Sequence, residues 1–513
     1  MTGQQIASDA DLPDGASGDD PAAPEPGDDT TERTAWTRLR ATAERVPKDG
    51  YRLAALTGVT AGVLATLGLV RLHTFRATSF DLVIFDQAVR GFARFGAPTS
   101  AARGVSLDQG MQFVQLGEHF SPILALLAPF YWIHDGPGTL IVAQAVLFAL
   151  AIPFVWTFTR RVLGTRPAYL VAIAYALSWP LAQAANFDFH EVAFAPPLIA
   201  IMIERYQAGR LRTCAAAALL LLLVKEDMGL LVAGFGAYAF LIGRRLEGVS
   251  FALLGLGYTM LVRGFLIPAV GGDPDMYWAY NQLGADFGGV ARTMVTDPLL
   301  VIRTLLTPED KIDTMAVMVW PTLLLCLRSP LTLMAVPHLL ERMLSDRQHW
   351  WVTDFHHSAF TVVILLLAGV DGLNRLLTRL GRGGDRGLVL TWAVAVCVVA
   401  ITLVPRFALD QLLHPTFYQR DARATAAALA VAKVPSGVVV EAANSLGPNL
   451  SGRTTVLLWD LKTRSAPWVV ADVTGWQFPF GTVDEQRRRV AELISSGYRV
   501  VFDREGYVVL RRP

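Results

Sequence analysis

Apolar residues run through this chain in long blocks separated by short polar clusters. The first block covers about 53–70 and follows Arg33, Arg38, Arg40, Arg45, Lys48 and Arg52. Cationic residues concentrate at the cytoplasmic ends of membrane helices, so this block predicts an uncleaved anchor that enters from the cytoplasm and ends outside. The loop 71–121 then lies outside. The run at 120–133 is about fourteen residues, short of the roughly 20 that span a bilayer, and predicts a juxtamembrane or re-entrant helix. Further blocks at about 138–159, 167–185, 190–206, 212–224, 228–243, 249–269, 312–327, 330–344, 358–373 and 387–404 alternate across the membrane, with arginines at the inner ends. The pattern predicts about eleven transmembrane helices over 33–405.

Two polar regions carry patterns of their own. Within the first outer loop, 81–95 predicts a helix closed by Gly96 at its C′ position. Leu82, Phe85, Val89 and Phe92 recur there at helical spacing, which predicts a helix lying along the membrane surface. From 406 onward the spans cease. Runs at 437–441, 454–459, 468–473, 498–502 and 507–511 read as strands, and 483–496 reads as a helix. Residues 406–513 therefore predict a small α/β domain, placed outside the membrane by the odd number of spans.

Composition agrees with a polytopic helical membrane protein: 53% of the 513 residues are hydrophobic and only 17% are charged. Residues 1–32 hold acidic residues but no Lys or Arg, with Pro, Gly and Ala, and predict a disordered acidic tail rather than a signal peptide. Lysine is scarce beside arginine, a usage that suggests a GC-rich bacterial genome. Cys214, Cys326 and Cys397 fall in apolar runs without metal-ligand spacing and read as small buried hydrophobes. The C-terminal α/β region carries no Walker A, GxGxxG or zinc motif, and the chain shows no basic and aromatic surface of the kind that binds nucleic acid.

With this topology Asp81, Asp86, Glu118, His119, Asp188, His190, Glu191, Lys225, Glu226, Asp227, Glu341, Arg342, His356 and His357 all lie at the outer face. Taken singly, each reads as a helix cap or an interfacial anchor. Their gathering on one side, from many helices, points to a site. Asp81 is either the N-cap of the loop helix or a general base at its start. Asp86 sits about 140° round that helix from Asp81, so the two cannot act as a pair, and Asp86 is expected to form a surface ion pair with Arg90. Asp188, His190 and Glu191 read as a metal or sugar-binding group, or as a capping box between packed helices. Lys225 is suited to a lipid phosphate, and its alternative is an ion pair with Glu226 or Asp227.

Several stretches carry a resemblance. Asp81 opening a loop helix, Gly96 closing it, and His119-Phe-Ser-Pro122 entering the next apolar run resemble the first outer loop of the GT-C superfamily of glycosyltransferases. More closely, Phe80-Asp-Leu-Val-Ile-Phe-Asp-Gln87, Gly117-Glu-His-Phe-Ser-Pro122, Asn186-Phe-Asp-Phe-His-Glu191, Lys225-Glu-Asp227 and Pro337-His-Leu-Leu-Glu-Arg342 look like a family of bacterial multispanning membrane proteins of unknown function placed near GT-C. The resemblance covers about 75–360. Leu82 follows Asp81 where the common GT-C acidic pair has Glu.

The resemblance implies a transferase in the cytoplasmic membrane that moves a sugar from a polyprenyl-phosphate donor to a glycan or protein acceptor outside. Asp81 would be the catalytic base. Glu118, His119, Asp188, His190, Glu191, Lys225 and Arg342 would bind substrate, with Lys225 and Arg342 on the lipid phosphate. A divalent cation is compatible with this set, but the sequence does not assign its ligands. Two other readings stand beside it: a transporter or lipid flippase, and a non-enzymatic envelope scaffold.

Overall fold

Six helices in the computed structural model are long and apolar enough to cross a bilayer, among the described residues 48–513 without Thr463. They are Lys48–His73, Pro137–Leu163, Thr165–Asn186, Arg245–Ala269, His356–Arg379 and Arg386–Arg406, each more than 20 residues. Pro122–Tyr131, Leu211–Leu222 and Met228–Leu241 are shorter apolar helices. The expected acidic tail, 1–32, lies outside the described residues.

The expected spans at 312–327 and 330–344 are not continuous helices. The chain there runs as a helix, Asp310–Val319, three 3₁₀ turns between Trp320 and Met334, and a helix, Val336–Leu344. Pro321, Pro330 and Pro337 each remove a helical amide, and Leu323 and Leu324 both take positive φ. Irregular backbone at such depth is tolerated where protein covers it. Gly372 supplies the cover by leaving room: a Cβ there would sit 1.9 Å from the carbonyl oxygen of Leu325. The helix His356–Arg379 therefore packs directly on the broken stretch. The 190–206 run also begins irregularly, as a 3₁₀ turn at Glu191–Phe194 followed by the helix Ala195–Gln207.

The loop helix spans Leu82–Ala93. Its left-handed closing residue is Phe95, at φ 57°, and not Gly96. Nor does it lie as an exposed surface helix. Leu82, Phe85 and Val89 pack into the core of the helical bundle. Val83 and Ile84, on the other side, pack into a second core with the C-terminal sheet. Both faces are buried, so one amphipathic stripe describes only half of its environment.

The C-terminal region forms a five-stranded mixed sheet in the order β2-β1-β3-β5-β4, where β1 is Val439–Ala442, β2 Thr455–Leu458, β3 Trp468–Asp472, β4 Arg499–Arg504 and β5 Tyr507–Arg511. The first three are mutually parallel and β5 is antiparallel to both neighbours. Glu505 and Gly506, both with positive φ, make the two-residue turn between β4 and β5, as the right-handed twist of a hairpin requires. The helix Val483–Ser495 starts on a capping box between Thr482 and Glu485.

The sheet is fastened to the loop helix and to the loops on either side of it. Asn444 Oδ1 accepts hydrogen bonds from the amides of Ser79 and Phe80, both at 3.0 Å. Ser79 Oγ donates to the Asn444 carbonyl at 2.9 Å. Gln87 Nε2 donates to Val456 O at 2.8 Å, and Lys462 Nζ meets Asp108 at 2.6 Å. Gly447 permits the approach, since a Cβ there would fall 2.1 Å from Ser79 Oγ.

Candidate active site

Asp81 occupies the N-cap position of the loop helix but does not cap it. Its backbone takes φ 61° and ψ −68°, and its side chain bonds to no helix amide. Positive φ is costly for a residue with a Cβ, and such strain persists only where surrounding contacts impose it. Here those contacts are named: Asn444 holds the two preceding amides, and Asp188 Oδ2 accepts from both the amide (2.8 Å) and the hydroxyl (2.6 Å) of Thr78. The Asp81 carboxylate accepts no hydrogen bond among the described residues and keeps 18% of its side-chain surface exposed. Burial pushes its pKa up to about 6, against the pull of His190 and with help from the Glu118 and Glu191 carboxylates. The cap reading is excluded by this geometry, and what remains is a poised, half-buried carboxylate without a hydrogen-bond donor.

His190 is its nearest ionisable partner. The ring Nε2 lies 3.8 Å from Asp81 Oδ1, and Nδ1 lies 2.6 Å from Glu191 Oε2. The ring stacks on His356 with centroids 3.4 Å apart and meets Phe85 edge-on. Gln144 fixes this segment from the bundle, its Nε2 donating to Asp188 O at 2.7 Å and its Oε1 accepting from the His190 amide at 3.0 Å. Asp188 and Glu191 do not form the alternative capping box, because the short turn after His190 has no side-chain cap.

Lys225 pairs with Glu191, Nζ to Oε1 at 3.5 Å. Burial alone would lower the ammonium pKa, but Glu191, Asp227 and Glu226 outweigh it and hold it raised, so the charge is permanent. Neither sequence-adjacent acid is its ion-pair partner. Glu226 instead takes His119 Nδ1 at 2.9 Å and the Phe120 amide at 3.1 Å. Burial and Lys225 push the His119 imidazole down, yet the Glu226 carboxylate prevails and its pKa is raised. Glu118 pairs with Arg103 at 2.5 Å and accepts from the Tyr277 hydroxyl, whose ring stacks on His119.

Arg342 is placed differently from its expected role. Its guanidinium is buried and donates to Trp350 O (2.7 Å), His357 O (3.0 Å) and Ser358 Oγ (3.2 Å). These bonds brace the segment 350–358. Asp86 is also corrected: it does pair with Arg90 at 2.8 Å, but it is fully buried rather than on the surface. Tyr131 donates to it at 2.7 Å, and Ser451 of the sheet domain donates to its other oxygen.

The structure therefore joins Asp81, His190, Glu191 and Lys225 in one chain of contacts, with Asp188 tied to it through Gln144, and gathers Glu118 and His119 around Tyr277 in a second cluster. It adds Arg103, Tyr277 and His338, and it gives a place to Asp227 and Glu341, which the sequence set at the outer face without a role. Arg103 and Tyr277 had no signal, being single polar residues in long loops. Asp227, His338 and Glu341 come together as a possible cation-binding group, with one ligand atom from each within 4.8 Å of the others. The signal for the last two was available: positions 338 and 341 share a helix face.

A model of one protein family matches residues 71–509, most of the chain. The chain belongs to the family described as predicted membrane protein (DUF2079). No curated protein matches its sequence. Among solved structures, the chain is similar to ArnT from Cupriavidus metallidurans bound to undecaprenyl phosphate, with 15% identity, a TM-score of 0.51, and coverage of 90% of this chain and 98% of that one. The apo state of the same protein gives 12% identity, a TM-score of 0.50, and coverage of 93% and 98%. An oligosaccharyltransferase from Archaeoglobus fulgidus aligns with 11% identity and a TM-score of 0.46 over 82% of this chain and 69% of that one. The chain thus shares the overall fold of the Cupriavidus metallidurans protein, and it is a multispanning membrane protein.

Proposed function

We propose that this protein is an inverting membrane glycosyltransferase that uses a polyprenyl-phosphate-linked sugar and acts at the outer face of the cytoplasmic membrane. The observation that carries the reading is the Asp81 carboxylate, strained, nearly buried and without a hydrogen-bond donor, at the start of the loop helix of a GT-C-like fold. In this reading Asp81 removes the proton from an acceptor hydroxyl as its oxygen attacks the anomeric carbon. The bond between that carbon and the phosphate oxygen breaks, and the electron pair leaves with the polyprenyl phosphate. Lys225 and the protonated His119 stabilise the phosphate as it gains charge. Glu191 orients both His190 and Lys225, and the His190 ring stands 3.8 Å from Asp81. Glu118 and Asp188 position the loops, Asp188 through Thr78 and Glu118 through Arg103. Arg342 braces segment 350–358 at the same end of the bundle. The C-terminal sheet domain, fastened to the turn that bears Asp81, would present the acceptor outside.

The test is reconstitution in vesicles with radiolabelled polyprenyl-phosphate sugars and a membrane extract as acceptor source. Label transfer that disappears in Asp81→Asn supports the proposal. Movement of labelled lipid between leaflets without any transfer would replace it with the flippase reading.

A further inference from the structure

We infer that Asp227, His338 and Glu341 form a binding site for a divalent transition-metal ion of the Mn²⁺ or Zn²⁺ class. Three residues from two separate stretches of chain converge here. Asp227 stands at the start of the helix Met228–Leu241, while His338 and Glu341 occupy one face of the helix Val336–Leu344. One donor atom of each lies within 4.8 Å of the other two. His338 Nδ1 and Glu341 Oε2 are 3.2 Å apart.

A second observation goes beyond the clustering of acids. The His338 side chain is only 4% exposed, and its ring lies between the Glu341 carboxylate and the His357 backbone. Asp227 Oδ1 is enclosed and unpartnered. A buried polar atom without a partner costs on the order of 1–3 kcal/mol, so the Asp227 oxygen, beside a buried imidazole and a second carboxylate, calls for an occupant that satisfies it. The nearby cations are engaged elsewhere: Lys225 pairs with Glu191, and Arg342 is spent on backbone carbonyls and Ser358. Glu341 keeps 26% of its side chain exposed, which leaves the group an open side for an ion to enter.

The donor set decides the class of ion. One imidazole nitrogen with two carboxylate oxygens suits first-row divalent ions and is a poor match for Ca²⁺, which takes six to eight oxygens. Three protein ligands also leave coordination positions free for water or a phosphate oxygen. Lys225, two residues before Asp227, acts electrostatically on both carboxylates. Taking a phosphate oxygen there rests on the glycosyltransferase reading, whereas ion binding does not.

The experiment uses the full-length protein in lipid nanodiscs, stripped with chelator and titrated with Mn²⁺ under electron paramagnetic resonance. One equivalent should bind. Pulsed spectra should show coupling to an imidazole ¹⁴N that His338→Gln abolishes. Asp227→Asn and Glu341→Gln should each weaken binding about tenfold or more. His338→Gln keeps a polar side chain of similar size. If it fails to fold, the coupling is read in the parent and the affinity loss in Asp227→Asn. Binding that stays intact in the Asp227→Asn/Glu341→Gln double variant, or a parent spectrum without ¹⁴N coupling, overturns the inference. These readouts need no turnover, so a failure of sugar transfer and a failure of metal binding are told apart.

Discussion

Asn444, in the sheet domain, accepts a hydrogen bond from the amide of Phe80 at 3.0 Å, one residue before the strained Asp81. The same oxygen takes the Ser79 amide. A residue more than 360 positions away in sequence thus sets the backbone that aims the candidate base. Asn444→Leu leaves these amides without their acceptor, at a cost of about 1–3 kcal/mol. The expected result is faster hydrogen exchange at 79–81 and a loss of transfer of about tenfold or more, with the bundle still inserted. Exchange mass spectrometry on the variant checks the first part.

Asp81→Asn separates chemistry from stability. As a general base its loss should lower transfer by about 10²–10⁴-fold. Its folded pKa, about 6, lies above the ordinary 3.8, so burial penalises the charged form. The carboxylate's contribution is therefore favourable below the ordinary value and is lost as pH rises through about 6. At pH 7.5 the neutral Asn removes that penalty, and the melting temperature should hold or rise while activity falls.

The same shift sets a pH profile. Only the ionised Asp81 can take a proton, so the rate should fall about tenfold per pH unit below its pKa. The break should come near 6 rather than near 4. Measuring initial rates between pH 4.5 and 8 with the labelled donor locates it.

Asp86 is predicted to matter for folding rather than catalysis. It is fully buried between Arg90, Tyr131 and Ser451, so Asp86→Ala strands two hydroxyls and leaves Arg90 with Asp135 as its remaining acid. Breaking such a network costs about 3–5 kcal/mol. Ser451→Ala removes one donor and should cost about 1 kcal/mol. Thermal unfolding in detergent should rank the two variants in that order.

Gly372→Leu tests the packing of the broken stretch. The Leu325 carbonyl would lie 1.9 Å from the new Cβ, and backbone cannot swing aside as a side chain can. Overpacking of this kind costs about 1–3 kcal/mol. The expected signature is a lower melting temperature with increased proteolysis between 320 and 334.

Much of this protein could be read from its sequence. Long apolar runs dictate membrane helices because lipid satisfies no backbone polar group, and runs such as 249–269 and 387–404 correspond to helices of spanning length. The strands from 439 to 511 are visible as β-branched runs between turn residues. Polar residues at the ends of apolar runs pointed to Asp81, His119, His190 and Lys225 because charge is costly there. Their partners were not legible: Lys225 meets Glu191 rather than its sequence neighbours, and Asp86 is buried by Tyr131 and Ser451. The interruption at 320–334 was hidden because apolar composition is the same in a broken helix and a whole one. Local sequence fixes which residues seek lipid, water or a turn. Only the packing of distant segments decides which charges meet, which backbone is held under strain, and which buried atoms are left needing a partner.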